Sequence, residues 1–422
     1  MTIGERIRTA REARRPRMSQ QGLADALSTA RWGSVGFCDR QQVYRWEAGK
    51  RHPTEWLPFI EQVLGIDLSQ EKMPDGSDTV ASVMRLGRDD VERRVFLAAS
   101  AAVGLSALDI PDAAAVTRRV GTTGGVRVGM GEVSAIRHMI KTLGDAASEL
   151  GGGHARHLTV RYLTEDVKRW LDGTYTEEVG RELFAATAEL AHLAGWMAKD
   201  EGNEGLAQRY FVHSFKLAAE AGENEAAATA LRGLADQAVD LGHLASAVRL
   251  AEGCVRWGEK LDDPKALAYY RNTLARAAAA DMDTTTAREM LTASESAIGR
   301  ASAAPGESWA SHYSAGRWAH ESARIRSRLG DQAAAKELLH LSLDIHGIDR
   351  RRTRAMVLAD LATVQMRQGD LDGAFVSTEE FVAFAQGVQS ARVLNAAQDL
   401  RGRLARTAPD SPVLEALGAL GT

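Results

Sequence analysis

The chain is poor in cysteine, because its 422 residues include two, Cys38 and Cys254, which lie far apart. Two distant cysteines exclude a disulfide framework and lack the spacing of metal ligands, so a reducing compartment fits. The chain also lacks the sustained alternation of Val, Ile and Thr that indicates a sheet. Ala, Leu, Arg and Glu dominate instead, and since these residues favour helices we expect an all-α protein.

Long apolar runs are also missing. An apolar run from Ala98 to Leu108 is shorter than the ~20 residues that a membrane span needs. It follows Arg93-Arg94, as in a twin-arginine export signal, but such a signal works at an N-terminus, and a folded domain is expected before this one. Met1 leads directly into a charged stretch without a signal peptide. We therefore expect a cytoplasmic protein that makes no membrane contact, with the run as a buried or interface helix.

Motifs that carry catalysis are absent as well. The glycine-rich stretch 121–125 lacks the Gly-Lys-Ser/Thr ending of a phosphate loop, and no strand precedes it. The eleven histidines are scattered, and His154 and His157 have no carboxylate or cysteine to complete a ligand set. No Gly-x-Ser-x-Gly elbow occurs. We predict no enzyme activity, no catalytic residue, no cofactor and no metal site.

Charge is distributed unevenly along the chain. Residues 1–53 contain eleven Lys or Arg against five Asp or Glu, whereas the whole chain has a net charge of −4. A basic N-terminal head (residues 1–53) followed by an acidic remainder is the distribution expected if only the head binds a polyanion such as DNA. A basic surface that is only solvated would have the same composition.

The basic head has the pattern of four short helices. The first runs from Gly4 to Arg14 and ends before a proline. Ser19 is placed to cap a second helix over 20–27, and Asp39 a third over 40–47. A fourth follows Thr54. The inward positions are expected to be Leu23, Ala24 and Leu27 of the second helix and Val43 and Trp46 of the third.

Two segments resemble the Xre/Cro/phage-repressor family of helix-turn-helix domains. They are Ser19-Gln20-x-x-Leu23-Ala24 and Val43-Tyr44-Arg45-Trp46-Glu47-x-Gly49-Lys50-x-x-Pro53. The resemblance implies a lambda-repressor-like domain over 1–70, in which the second helix crosses the DNA backbone and the third enters the major groove. The family's turn between these helices is shorter than Ser28 to Cys38 here, so either the second helix is longer or a small loop projects.

This resemblance assigns roles in DNA binding to eight residues. At the start of the third helix, Arg40, Gln41 and Gln42 are expected to read base edges, since Arg pairs with guanine and Gln with adenine through two groove atoms. Tyr44 and Arg45 can reach bases or phosphates. The expected phosphate contacts are Gln20, Lys50 and Arg51.

Polar composition predicts a linker and a connecting helix over 71–130, with that helix running from Asp90 to Ala107. Beyond residue 180 turn signals recur about every 40 residues, with one longer interval, and further breaks fall between them. This period predicts helical hairpins over most of 131–422. A small residue stands five positions after each turn mark, where two helices can approach closely. These residues are Ala207, Ala247, Ala287, Ala335 and Ala374.

The hairpins of 180–406 resemble tetratricopeptide repeats, although the motif's late proline is missing and the repeats exceed 34 residues. The full layout resembles an actinobacterial class of Xre-type regulators with a tetratricopeptide sensor domain. The segments that carry this likeness are Gly151-Gly152-Gly153-His154-Ala155-Arg156, Gly180-Arg181-x-Leu183-Phe184 and Leu193-Ala194-Gly195-Trp196-Met197. The plan is also similar to peptide-pheromone receptors of Gram-positive bacteria, in which a repeat groove binds a signal.

Repeat geometry places the first helix of each hairpin on the concave face of an α-solenoid. The residues expected there are His192, Trp196, Arg232, Asp236, Asn272, Arg276, His320 and Arg324. They could hold a carboxylate or a peptide backbone, or they could form a solvated polar groove. We hypothesise a homodimeric transcriptional regulator that binds double-stranded operator DNA and responds to a small-molecule or peptide signal. The alternative is a DNA-bound scaffold whose repeats recruit another protein.

Overall fold

The structure is a computed structural model that describes most of the chain. The described residues are 3–32, 35, 38–48, 53, 56–66, 79–92, 126–302, 309–347 and 350–420. They contain helices and no strand, apart from an isolated bridge between Arg127 and Thr174, and the predicted all-α class is confirmed. They fall into two compact units, one within Met1–Asp78 and one within Thr79–Thr422.

Four helices build the first unit. They are α1 (Ile3–Ala13), α2 (Gln20–Trp32), α3 (Arg40–Glu47) and α4 (Leu57–Leu64). The expected inward positions of α2 and α3 are buried. Helix α2 is longer than predicted, and Ser28 near its end accepts a hydrogen bond from the backbone of Cys38 at 2.8 Å. This bond ties α2 to the start of α3. The predicted Thr54 cap lies outside the described residues.

A single carboxylate links three helices of this unit. The side chain of Glu47, at the end of α3, accepts from Arg11 Nε of α1 at 2.6 Å and from Gln20 Nε2 of α2 at 2.7 Å. Arg11 also donates to the carbonyl of Met18 at 2.8 Å. The Arg11 guanidinium and the Glu47 carboxylate are both largely buried, so loss of either would leave an uncompensated charge in the core.

The second unit begins with helices that precede the hairpins. They are α5 (Thr79–Glu92), α6 (Met130–Leu150), α7 (Gly152–Tyr162) with a π-helical continuation (Leu163–Val167), and α8 (Lys168–Leu171). Helix α5 packs against α7 and against the helix Glu204–Ala221, which belongs to the first hairpin described below. It lies within the range predicted to be linker and connecting helix, but it begins eleven residues before the predicted Asp90. Residues 93–125, which hold the rest of the predicted helix, lie outside the described residues.

Antiparallel helical hairpins form the rest of the unit. The first helices of the hairpins are α9 (Glu177–Asp200), α11 (Asn224–Asp240), α13 (Pro264–Ala280), α15 (Ala315–Arg328), α17 (Arg351–Gln368) and α19 (Ala391–Leu404). The second helices are α10 (Glu204–Ala221), α12 (Leu244–Gly258), α14 (Thr284–Gly299), α16 (Gln332–Ile345), α18 (Leu371–Ala385) and α20 (Val413–Ala419). The five small residues predicted at the hairpin contacts are all completely buried. The hairpins therefore have the predicted period and stack in a solenoid-like arrangement.

The stack curves until α17 packs against α6, which itself packs against α9. Backbone hydrogen bonds join the same regions: Gln389 N donates to the Leu150 carbonyl at 2.7 Å, and Gly153 N donates to the Gln389 carbonyl at 3.1 Å. Gly151 has a φ of 94°, and a Cβ there would lie 2.3 Å from the Gln389 carbonyl oxygen. This glycine therefore permits the contact that closes the curved stack.

The turns of the first five hairpins each contain a left-handed residue. Gly202, Gly242, Gly330 and Gly369 occupy this position with φ between 78° and 92°, whereas the third hairpin has Met282 at φ 68°. A left-handed conformation costs a non-glycine residue about 1–2 kcal/mol, because its Cβ crowds the backbone. Met282 is 78% exposed, so its side chain contributes little packing in return.

Replacing Met282 by glycine should therefore stabilise the protein. We expect the M282G variant to gain about 0.5–1 kcal/mol, which is the relieved strain minus the extra entropy of an unfolded glycine. The matched reverse substitution, Gly242→Met, should lose a similar amount. Thermal or urea unfolding measures both, and a lower stability of M282G would contradict the strain argument.

Candidate functional site

One surface of the first unit consists of the outward face of α3. Arg40, Gln41, Tyr44 and Arg45 are exposed there. Their spacing of i, i+1, i+4 and i+5 places them on one side of the helix, while Val43 and Trp46 are buried on the other. Five of the eight residues predicted to bind DNA thus lie on α3, and four of these face outward.

The remaining predicted DNA contacts have different positions. Gln42 belongs to the cap of α3, where its backbone N–H donates to Asp39 at 2.7 Å and its side chain accepts from the Asp39 N–H at 3.2 Å. The Gln20 amide donates to Glu47. Both side chains make hydrogen bonds within the unit, and their contacts with bases or phosphates stay a prediction. Lys50 and Arg51 lie outside the described residues.

The second unit contains a cavity of about 510 Å³ on the inner side of the curved stack. It is lined by the first helices of the hairpins together with α6 and the connection between α14 and α15. Seven of the eight residues predicted on the concave face line this cavity: His192, Trp196, Arg232, Asp236, Arg276, His320 and Arg324. The residues assigned from the repeat motif therefore lie together on one wall of this cavity.

The eighth residue, Asn272, does not line the cavity. It is buried, and its amide donates to Ser322 Oγ of the next repeat at 2.8 Å. The structure therefore does not bring Asn272 together with the other predicted residues: it packs against α15, whereas Arg276, one turn further along α13, lines the cavity.

A carboxylate between two guanidinium groups forms one side of the cavity. Glu321 accepts from Arg232 at 2.7 Å, from Arg317 at 3.2 Å and from the Tyr313 hydroxyl at 3.0 Å. Although burial raises the pKa of Glu321, the charges of Arg232 and Arg317 outweigh it and lower this pKa to about 2. The Arg232 guanidinium also stacks 4.1 Å above the Tyr269 ring.

A second ion network uses two of the residues predicted to bind ligand. Asp236 and Asp240 accept from Lys199 Nζ at 2.6 and 2.8 Å, and Arg276 pairs with both carboxylates. Because each charge in this network has an opposite partner, Asp236 and Arg276 join α9, α11 and α13 to one another. Asp236 and Arg276 line the cavity, and each already has an oppositely charged partner within the protein.

Basic side chains paired with carboxylates line the end of the cavity that α17 closes. His320 Nε2 lies 2.8 Å from Asp360, and Arg324 Nε lies 3.6 Å from the same carboxylate. Arg352 of α17 pairs with the buried Asp200 of α9 and lies 5.0 Å from the centre of the Trp196 ring. The closing contact of the stack therefore also forms part of the cavity wall.

His192 is buried at the aromatic side of the cavity. Its ring lies 4.9 Å from Trp309 and 5.1 Å from Phe211, and its Nδ1 has no hydrogen-bond partner among the described residues. Burial, with the charges of Arg232 and Arg317, lowers the pKa of His192 to about 3. His192 is therefore a neutral ring at physiological pH.

Sequence reasoning missed several lining residues. Arg317 and Glu321 lie within one turn of the predicted His320 and Arg324, so the same repeat pattern could have identified them. Trp309 lies in the longer interval between repeats, where the period gives no register. Lining residues that only the closure of the stack supplies are Arg137 and Lys141 of α6, Arg350 and Arg352 at α17, and Arg392 of α19.

Other kinds of site are not found in the described part of the chain. It contains no group of three or more His, Cys, Asp or Glu side chains that could hold a metal ion. Within the same ranges, no helix combines the length and the apolar character needed to cross a bilayer. Comparison with known proteins gave no match to any protein-family model or to any curated protein.

One acidic residue of the cavity wall is expected to be uncharged. Glu189 of α9 is buried, and this burial raises its pKa to about 8 despite the charge of Arg137. In the unfolded chain the carboxyl ionises near pH 4.5. The folded protein therefore holds a proton that the unfolded chain has released between pH 4.5 and 8, and stability falls as the pH rises through this window.

The Glu189→Gln variant should remove this pH dependence. We expect its unfolding free energy to exceed that of the parent by about 4 kcal/mol at pH 8 and to differ little at pH 4.5. Glu178→Gln, at an exposed position of the same helix, is the control and should change stability little at either pH. Urea unfolding at the two pH values tests this, and a constant difference between E189Q and the parent would contradict it.

Proposed function

We propose that the protein is a sequence-specific DNA-binding transcriptional regulator that acts in the cytoplasm. In this proposal 1–70 form an Xre/Cro-type helix-turn-helix domain, and the tetratricopeptide-like repeats form a dimer and bind a signal. The observation that carries the DNA-binding part is the outward face of α3, where Arg40, Gln41, Tyr44 and Arg45 are exposed on a capped helix.

The chemistry of this face suits the major groove. The guanidinium of Arg40 can pair with two acceptors of guanine, and the amide of Gln41 can pair with the acceptor and donor of adenine. Tyr44 and Arg45 lie one turn further along the helix, within reach of bases or phosphates. The carboxylate of Glu47 faces inward on Arg11 and Gln20, so it does not repel a phosphate backbone from the exposed face.

The cavity of the second unit supports the sensing part of the proposal. A cavity of about 510 Å³ falls in the range of small-molecule sites. A ligand in it would change DNA binding if it binds two arrangements of the dimer with different affinity. Because the cavity lies inside the curved stack, it favours a bound signal over the alternative of a scaffold that recruits another protein through its groove.

Replacing Arg40 and Gln41 by alanine should abolish sequence discrimination. A library of random duplexes selected with the full chain yields its preferred site, and binding to that site is then compared with binding to random duplex. We expect the R40A/Q41A variant to lose 10-fold or more of the preference, since each good bidentate contact contributes about 1–3 kcal/mol.

The control for this experiment is Arg8→Ala. It removes one positive charge from the exposed side of α1 and leaves α3 intact. R8A should weaken binding to both duplexes by a similar factor and keep the preference for the selected site. Unchanged selectivity of R40A/Q41A would refute the reading assignment, and the absence of salt-sensitive duplex binding by the parent would refute the proposed function.

A further inference from the structure

The charges on the cavity wall are unbalanced. Among the described residues that line it, nine are Lys or Arg and four are Asp or Glu. Adding the paired groups directly behind the wall brings in Lys199 and the carboxylates of Glu182, Asp200, Asp240 and Asp360. Ten basic groups then face eight carboxylates. The raised pKa of Glu189 leaves that carboxyl uncharged at neutral pH, and burial lowers the pKa of Lys199 to about 7, so that Lys199 is only partly charged.

Three arginines carry this excess. Arg317 shares Glu321 with Arg232, and Arg324 shares Asp360 with His320 at an Nε to Oδ2 distance of 3.6 Å. Arg392 lines the cavity and has neither a hydrogen bond nor an ion pair with any described residue. Crowding of like charge is evident at Arg352, where burial and the charges of Arg392 and Arg317 lower the pKa of the guanidinium.

Unpartnered nitrogen atoms lie behind the same wall. The Nε atoms of Arg232 and Arg352 and the Nδ1 of His192 are buried without a hydrogen-bond partner among the described residues. Native proteins leave few buried polar atoms in this state, since each costs about 1–3 kcal/mol. The cations that repel each other on this wall would be neutralised by an anion with several acceptor oxygens.

Part of the remaining wall is apolar. Ile140, Leu193, Trp196, Trp309 and Met356 line it, and the two tryptophans offer ring faces or edges. An inorganic anion would leave this side in contact with water, whereas an organic body would bury it. The volume of about 510 Å³ matches a small molecule and is small for an extended peptide.

We propose that this cavity binds a small organic anion, a carboxylate or phosphate on an apolar or aromatic body, with Arg317, Arg324 and Arg392 holding the charged end. The inference deepens the sensing part of the proposed function by naming the class of signal. The aromatic body lies against Trp196 and Trp309, and the charged end supplies a counterion for the three arginines. Asp236 and Arg276 remain paired with each other.

The test uses two fluorescent probes that differ in charge. The full chain is titrated at 0.15 M salt with 8-anilinonaphthalene-1-sulfonate and with N-phenyl-1-naphthylamine, which has the same rings without the sulfonate. We expect one saturable site that prefers the anionic probe. Arg392→Met should weaken sulfonate binding about tenfold, the effect of one lost charge-assisted hydrogen bond, and should leave the neutral probe unchanged.

Two further variants keep the result interpretable. Arg249→Met removes an exposed arginine of α12 and should change nothing. Gly144→Phe adds a ring to the cavity wall without removing a charge; a Cβ at Gly144 meets only Leu193 Cδ1 at 3.9 Å, so the helix accepts it. This variant should abolish binding of both probes while circular dichroism stays unchanged. Equal binding of both probes by the parent, unchanged sulfonate affinity in R392M, or retained binding in G144F would overturn the inference.

Displacement of the bound sulfonate identifies the charged group. Phenylacetate and phenyl phosphate carry a carboxylate and a phosphate on similar rings. The compound that displaces the sulfonate probe at the lower concentration carries the charged group that the site prefers. If neither displaces the probe, the inference fails. If the parent protein fails all of these tests but still prefers its selected duplex, and R40A/Q41A loses that preference, the anion site is refuted and the proposed DNA binding stands.

Discussion

The close approach of two helices within each hairpin is the constraint on which the larger unit depends. In five of the six described hairpins a completely buried alanine stands five residues after the left-handed residue of the turn, and a larger side chain there would push the helices apart. Close hairpins can stack with a constant rotation, and the accumulated rotation curves the stack until α17 meets α6. The inner cavity exists because this curve closes.

Closure brings together charges that are distant in the chain. Arg352 reaches Asp200 across 152 residues, and Arg350 reaches Asp145 across 205. Glycine at 151 lets the backbone of Gln389 approach, which no side chain at that position would permit. The same contacts that hold the ends of the stack together therefore complete the wall of the cavity, so stability and the candidate site share residues.

The smaller unit depends on a different kind of contact. Its core is small, and the buried pair of Arg11 and Glu47 fixes the mutual position of α1 and α3 while Gln20 adds α2. Breaking such a pair by removing one partner typically costs about 3–5 kcal/mol, because the remaining charge stays buried. This inward use of Glu47 leaves the exposed face of α3 with arginine, glutamine and tyrosine, the residue types that read a duplex groove.

Local signals in the sequence determined the helices, their caps and the hairpin period. Asp39 capping α3, the buried Val43 and Trp46, and the small residues at the hairpin contacts follow from spacing over a few residues, which no distant contact has to supply. The period also placed His192, Arg232 and Arg324 on one face. The contact between Gln42 and Asp39 is equally local. Only the tertiary structure decided that Gln20 bonds to Glu47, that Asn272 packs against α15, and that Arg137 and Arg392 complete the cavity wall. These outcomes depend on the rotation of each helix and on the closure of the stack, which many residues far apart in the chain set together.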